Sequence, residues 1–189
     1  MRIHDTRTLA VSRVFVKCAG LRSPGSGVAS SSMPKDPEIS LKPGDKAPAF
    51  SATATDGSTL KLSDFKGKSV ILYFYPRDDT PGCTKEACAF RDLYREIQSR
   101  GAVVLGVSVD PVKAHQKFTE KFSLPFPLLS DVDQTLVQAY GVWGEKVFMG
   151  RKYLGTHRVT FLIGPDGRIQ SVWPRVKPEE HAAEVLAAL

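Results

Sequence analysis

Two cysteines five residues apart, Cys83 and Cys88, stand where an apolar run gives way to a helical pattern. Tyr73-Phe74-Tyr75 leads into Pro76-Arg77-Asp78-Asp79-Thr80-Pro81-Gly82, and the helical spacing opens on Cys83. A thiol is a nucleophile only as thiolate, and the thiolate is favoured at a helix N-terminus or beside a cation. Pro81-Gly82 shapes the turn, and Thr84, Lys85 and Glu86 follow within the first helical turn. The Cys83 sulfur therefore lies where unpaired backbone N–H groups point. Lys85 either adds charge there or is a solvated helix residue. On a regular helix, residues i and i+5 differ by about 140° around the axis and by about 7.5 Å along it. Their Cα atoms are then roughly 8 to 9 Å apart, beyond the reach of a disulfide without backbone movement. Two readings of Cys88 follow. It is a small buried core residue, or it pairs with Cys83 and the start of the helix unwinds on oxidation, which makes oxidation a conformational switch.

Competing chemistries find little support. Structural zinc takes four ligands, commonly grouped two to four residues apart, whereas His115, His157 and His181 are scattered and no metal site is expected. There is no complete Gly-x-x-x-x-Gly-Lys-Ser/Thr phosphate loop and no Gly-x-Gly-x-x-Gly fingerprint, so no nucleotide cofactor is expected either. Three cysteines in 189 residues are too few and too unevenly spaced for the disulfide framework of a small secreted protein, which favours functional thiols in a reducing compartment. Cys18, away from any recognisable element, reads as incidental. The net charge of +6 is concentrated at the N-terminus, where Arg2, Arg7, Arg13, Lys17 and Arg22 face only Asp5. That leaves 21 basic and 19 acidic residues from Met33 onward, so the body is nearly balanced and a nucleic-acid partner is not expected. No apolar run is long enough to span a membrane.

The elements that must position the cysteines can be read in order. Residues 1–39 form an extension outside the domain, and its first 32 residues, rich in Arg, Ser and Gly and poor in acids, read as disordered. They are either a transit-like targeting segment or an upstream extension with the working start at Met33. The domain covers residues 40–189. Phe50 to Ala54 and Ser58 to Leu62 form a hairpin about Asp56-Gly57, Ser63 caps a short helical turn through Phe65, and Gly67 ends it. Val70 to Tyr75 is continuously apolar, the form of a strand buried on both faces and central in a sheet. Cys83 to Arg100 keeps helical spacing through Ala87, Phe90, Leu93, Tyr94 and Ile97, and Ala102 to Val109 is a second buried strand. Strand, helix and strand in this order make a parallel crossover unit, with the thiol beyond the carboxyl end of its first strand. Further on, a helix spans Pro111 to Phe122, Asp131 caps another through Tyr140, and Val159 to Ile163 pairs with Ile169 to Trp173 across Pro165-Asp166-Gly167. Glu179 to Leu189 closes as an amphipathic helix. Residues 142–157, with Trp143, Phe148 and Tyr153, are expected to form a loop and to pack on the core, with a surface for docking the reductase as the lesser alternative.

Pro76-x-x-x-Thr80-x-x-Cys83 resembles the active-site motif of the peroxiredoxins, and Cys88 five residues on resembles the subgroup called bacterioferritin comigratory protein or peroxiredoxin Q. The likeness runs from about residue 40 to the end. It includes Gly44 to Phe50, Phe126-Pro127-Leu128-Leu129-Ser130-Asp131 and Arg158-Val159-Thr160-Phe161-Leu162-Ile163. The resemblance implies an α/β, thioredoxin-like fold: a central mixed sheet with helices on both faces and an N-terminal β-hairpin. It implies a peroxidase without metal or organic cofactor, acting on hydrogen peroxide and organic hydroperoxides. Cys83 would be the peroxidatic cysteine that becomes a sulfenic acid. Cys88 would be the resolving cysteine that forms a disulfide with it, reduced in turn by thioredoxin or a similar dithiol. Thr80 would hydrogen-bond the peroxide, Pro76 would shield the pocket, and Arg158 would hold the thiolate and the developing charge. Taken singly, Thr80 could shape the turn, Pro76 end the strand and Arg158 form a surface pair.

Other readings differ in what they require. A thioredoxin-type oxidoreductase needs Cys-x-x-Cys, and here four residues separate the cysteines. A peroxide-sensing switch would show fast oxidation of Cys83 without turnover. Binding to an anionic surface through the Arg-rich tail would depend on salt. A monomer is expected, in the cytoplasm, or in an organelle if the tail is a targeting segment.

Overall fold

The computed structural model describes residues 39–189. The expected extension over residues 1–39, the start at Met33 and Cys18 lie outside the described residues, Ile39 excepted. Among the described residues, seven strands form one mixed sheet in the order β2-β1-β5-β4-β3-β8-β9. The hairpin of β1 (Ser51–Ala54) and β2 (Thr59–Lys61) occupies one edge, and the antiparallel pair β8 (Val159–Ile163) and β9 (Ile169–Trp173) the other. At the centre, β3 (Ser69–Phe74), β4 (Ala102–Ser108) and β5 (Leu128–Ser130) run parallel.

The central place of β3 follows from its composition, since alternate residues of a strand serve opposite faces and here both sets are apolar. Val70, Leu72 and Phe74 pack on one side with Phe50, Leu136 and Tyr140. Ile71 and Tyr73, with Tyr75 just beyond the strand, pack on the other with Phe90, Phe118 and Val185. The first face is covered by a 3-10 turn (Leu62–Phe65) and, further along the chain, by α4 (Thr135–Ala139). The second is covered by α1 (Pro81–Asp92), α2 (Tyr94–Ser99), α3 (Val112–Phe122) and α5 (His181–Ala187). Helices on both faces of a mixed sheet with an N-terminal hairpin are the architecture expected from the sequence.

Several local expectations change. The single helix from Cys83 to Arg100 is two helices, α1 and α2. At Leu93 the backbone (φ −95, ψ 3) leaves helical values, although the Leu93 N–H still reaches the Ala89 carbonyl at 3.2 Å. The apolar stripe runs on across the break because both helices bury the same side against the sheet, so periodicity hides the joint. The helix also begins two residues earlier than expected, at Pro81, where the fixed φ of proline suits the first helical position. Ser63 is not the cap of the 3-10 turn. Instead the Asp64 carboxylate accepts from the Lys61 N–H at 2.8 Å. Asp131 does cap a helix, but from a distance: α4 starts at Thr135, and Asp131 accepts from the N–H groups of Leu136 (2.9 Å) and Val137 (2.8 Å).

The largest difference lies in residues 142–157. In place of a loop, β6 (Trp143–Phe148) and β7 (Arg151–Thr156) form a separate antiparallel hairpin. Its turn at Met149-Gly150 has positive φ at both residues (48° and 76°), the geometry that matches strand twist in a two-residue hairpin. A methionine at such a position gives no turn signal in the sequence. Val147, Met149, Tyr153 and Leu154 of this hairpin are exposed. Among the described residues no helix is long and apolar enough to cross a membrane.

Candidate active site

Cys83 is the third residue of α1. Thr80 precedes the helix in an extended conformation (φ −98, ψ 149), Pro81 is its first residue, and the Thr84 N–H makes a helical bond to the Thr80 carbonyl at 2.8 Å. The first N–H groups of a helix have no carbonyl of their own to bond, so the sulfur sits in the expected setting. It is also buried, with Cys83 2% exposed.

Register explains how a residue 75 positions away reaches it. Val159 pairs with Phe74 across the antiparallel β3–β8 ladder, so the residue before β8 lies beyond the carboxyl end of β3, where the chain turns toward α1. That residue is Arg158. Its Nη2 donates to Cys83 Sγ at 3.1 Å, and its Nη1 donates to Glu86 Oε2. One guanidinium thus bridges the thiol and a buried carboxylate. Burial works against the Arg158 charge, but Glu86 and Cys83 outweigh it and hold its pKa above the ordinary guanidinium value.

Glu86 was not singled out from the sequence. It has no exposed surface, one oxygen (Oε2) takes the Arg158 bond, and the other, Oε1, has no hydrogen-bond partner. Burial pushes its pKa up to about 7, against the opposing pull of Arg158. A signal was available: Glu86 stands three residues after Cys83, within the buried stripe of Cys83, Ala87 and Phe90. A carboxylate in that stripe has to find a cation.

The other expected site residues are placed as follows. Pro76 directly follows Tyr75, whose N–H still bonds the Val107 carbonyl, so it stands at the first turn out of the sheet. The Thr80 hydroxyl donates to the Arg77 carbonyl at 3.1 Å, within the same segment, and leaves its oxygen lone pairs open to accept. Cys88 is half-buried on α1, and both cysteines are free thiols within one helix. Arg158 is therefore brought onto Cys83, whereas Cys88 is not.

A second cation borders the site. Lys146 of β6 is half-buried, and its Nζ donates to the Thr156 carbonyl at 2.9 Å. Burial, and then Arg158, lower its pKa, while Cys83 opposes the shift. Tyr73 lies beneath α1 against Phe90, and its hydroxyl has no partner. Burial first, then the negative charge of Glu86, keep that phenol neutral by raising its pKa well above the ordinary value. Among the described residues, no group of three or more His, Cys, Asp or Glu side chains is placed to hold a metal.

The arrangement is suited to nucleophilic attack by sulfur on an electrophile that leaves as an anion, with preorganised donors where charge develops. Known proteins agree in fold and sequence. The AhpC/TSA family matches residues 43–172. A putative peroxiredoxin bcp of Coxiella burnetii is 54% identical over 151 residues, covering 80% of this chain and all of that protein. Peroxiredoxin Bcp of Bacillus subtilis is 46% identical, over 80% of this chain and 96% of its own. Among solved structures, Xylella fastidiosa PrxQ superposes with a TM-score of 0.74 at 38% identity, covering 78% of this chain and 94% of that one. The bacterioferritin comigratory protein of Xanthomonas campestris, whose structure was determined for insight into its alkyl peroxide reduction activity, gives 0.72 at 39%, over 80% and 96%. The chain therefore belongs to the AhpC/TSA family as a peroxiredoxin of the Bcp type.

Proposed function

We propose that Cys83 is the peroxidatic thiol of a peroxidase acting on hydrogen peroxide and organic hydroperoxides. The observation that carries this is the Arg158 guanidinium, which donates to Cys83 Sγ at 3.1 Å while anchored on Glu86. The Cys83 thiolate attacks one peroxide oxygen. The S–O bond forms as the O–O bond breaks, and the departing oxygen leaves with the electron pair and takes up a proton as water or an alcohol. Arg158 faces the charge that develops on that oxygen. With its hydroxyl hydrogen committed to Arg77, Thr80 serves as an acceptor for the peroxide O–H. Pro76, at the exit from β3, excludes water from the pocket.

The product is a sulfenic acid at Cys83. The Cys88 thiol then condenses with it, releasing water and forming the Cys83–Cys88 disulfide, which thioredoxin or a similar dithiol reduces by exchange. Both sulfurs belong to the same twelve-residue helix, so α1 opens in each cycle and re-forms on reduction. We read the enzyme as a monomer of the cytoplasm that needs no metal or organic cofactor.

The test is peroxide consumption coupled to a thioredoxin system. Cys83→Ser is expected to abolish turnover, and a mutant that turns over like wild type would remove the proposal. Cys88→Ser is expected to reduce one equivalent of peroxide and then hold a sulfenic acid. Normal recycling of that variant by thioredoxin would assign resolution to another thiol.

A further inference from the structure

Between Tyr75, still bonded to β4, and Thr80, whose carbonyl accepts the first helical bond of α1, residues 76–79 belong to no strand or helix, so neither element fixes the course of the segment that leads from Pro76 to Thr80. Its buried ties converge on its middle residue. The Asp78 N–H donates to Asp110 Oδ2 at 2.9 Å. The Asp78 carboxylate, 7% exposed, receives the Tyr75 hydroxyl on Oδ1 at 2.7 Å and meets His115 Nδ1 on Oδ2 at 2.7 Å. Each partner is itself anchored. Tyr75 adjoins β3 and stays bonded to Val107 of β4. Asp110 Oδ2 also accepts from Ser108 Oγ at 2.8 Å, at the end of β4. His115, fully buried on α3, donates through Nε2 to the Leu129 carbonyl of β5 at 3.2 Å. A carbonyl only accepts, so Nε2 carries a proton and β5 fixes the orientation of the ring.

The remaining ties are of another kind. Lys121 of α3 pairs with Asp79, but both side chains are half-exposed, and such pairs contribute little. The Thr80 hydroxyl bonds Arg77, inside the segment, and so does not tie it to the body. Asp79 adopts positive φ (52°), a conformation that costs free energy for a residue with a side chain and that its surroundings must enforce.

We infer that Asp78 and His115 are positioning residues of the peroxidase: their buried contact, backed by Tyr75, Asp110 and Leu129, sets the segment that places Pro76 and Thr80 about Cys83. This rests on the reading of Cys83 as the peroxidatic thiol. The peroxide must meet sulfur in line with its O–O bond, and a displacement of about 1 Å in the groups that aim it costs about 100-fold in rate. Alkylation of the same sulfur has no such requirement, which gives the role a signature.

The experiment uses the full-length reduced chain and compares two reactions at Cys83: oxidation by hydrogen peroxide in stopped flow, and alkylation by iodoacetamide followed by mass spectrometry. Asp78→Ala and His115→Leu are expected to lose about 100-fold in the peroxide rate while alkylation changes little. Asp78→Asn keeps an acceptor for Tyr75 and offers an amide donor to Nδ1 of a neutral His115, so it is expected to restore most of the rate. Folded Asp78→Ala or His115→Leu protein that reacts with peroxide like wild type would overturn the inference. So would a parallel fall in alkylation, which would mean that the sulfur itself had changed. Should those variants fail to fold, Tyr75→Phe removes one donor to Asp78 and keeps the ring; a several-fold selective loss is expected, and an unchanged peroxide rate would overturn the inference. Cys83→Ser, run alongside, separates failure of the thiol assignment from failure of the positioning role.

Discussion

Between pH 7 and pH 4 the contributions of two buried groups, Glu86 and His181, to stability are expected to offset each other, and a single substitution should expose why. Glu86 is pushed from 4.5 up to about 7 by burial, and His181 is lowered from 6.5 to about 4 by burial and then Arg158. Each shift of about 2.5 units corresponds to about 3 kcal/mol. For Glu86 the folded state disfavours the ionised form. Its penalty is absent below pH 4.5 and complete above pH 7, so stability falls as pH rises through that window. For His181 the folded state disfavours the protonated form. Its penalty is absent above pH 6.5 and complete below pH 4, so stability falls as pH falls. The two windows nearly coincide with opposite sign, and near pH 5.5 each group contributes about half its penalty, so the sum stays nearly level. Glu86→Gln removes one side of this balance. Urea unfolding of that variant is expected to show stability dropping by about 3 kcal/mol from pH 7 to pH 4. His181→Gln should show the reverse slope, and the double variant should be level again. A Glu86→Gln protein with the pH profile of wild type would refute the account of both groups.

Two further outcomes follow from contacts described above. Arg158→Lys keeps the charge but loses the planar fork that reaches Sγ and Glu86 together, so the peroxide rate should fall about 100-fold at saturating reductant; a rate near wild type would show that charge alone suffices. Gly106→Ala would place a Cβ 2.7 Å from Leu128 Cδ2 and from the Tyr73 hydroxyl in the centre of β4, and should cost about 1 to 3 kcal/mol in urea unfolding; an unchanged midpoint would mean that Tyr73 moves freely.

The sheet was largely legible because its signals are local. The apolar runs at Val159 to Ile163 and Ile169 to Trp173, with a Pro-Asp-Gly turn between them, return as β8 and β9 residue for residue. The exposed hairpin at 143–156 was not, since its turn uses Met149 at positive φ and its strands bury little that would impose alternation. In the site, Cys83 and Arg158 stand out by type and by neighbours. The bond between them depends on the β3–β8 register, which no local pattern contains. Asp78 and His115 are 37 positions apart and each looks ordinary alone; only the packing of α3 against the end of β4 and β5 makes them partners. Glu86 was readable in principle, as a carboxylate inside a buried helical stripe, but nothing local to that turn names its partner, Arg158, 72 positions away.

The joint at Leu93 bears on how long the enzyme survives its own substrate. On the proposed mechanism, a sulfenic acid at Cys83 would persist until α1 opens, and during that wait a second peroxide could carry it irreversibly to the sulfinic acid. Cooperative units with fewer buried contacts open at lower free energy and more often. Because the helix breaks after Asp92, opening can stop there and leave α2, with Ile97 buried against the sheet, in place. On that mechanism, a chain with α1 and α2 fused into one rod would open more slowly and be inactivated at lower peroxide concentrations.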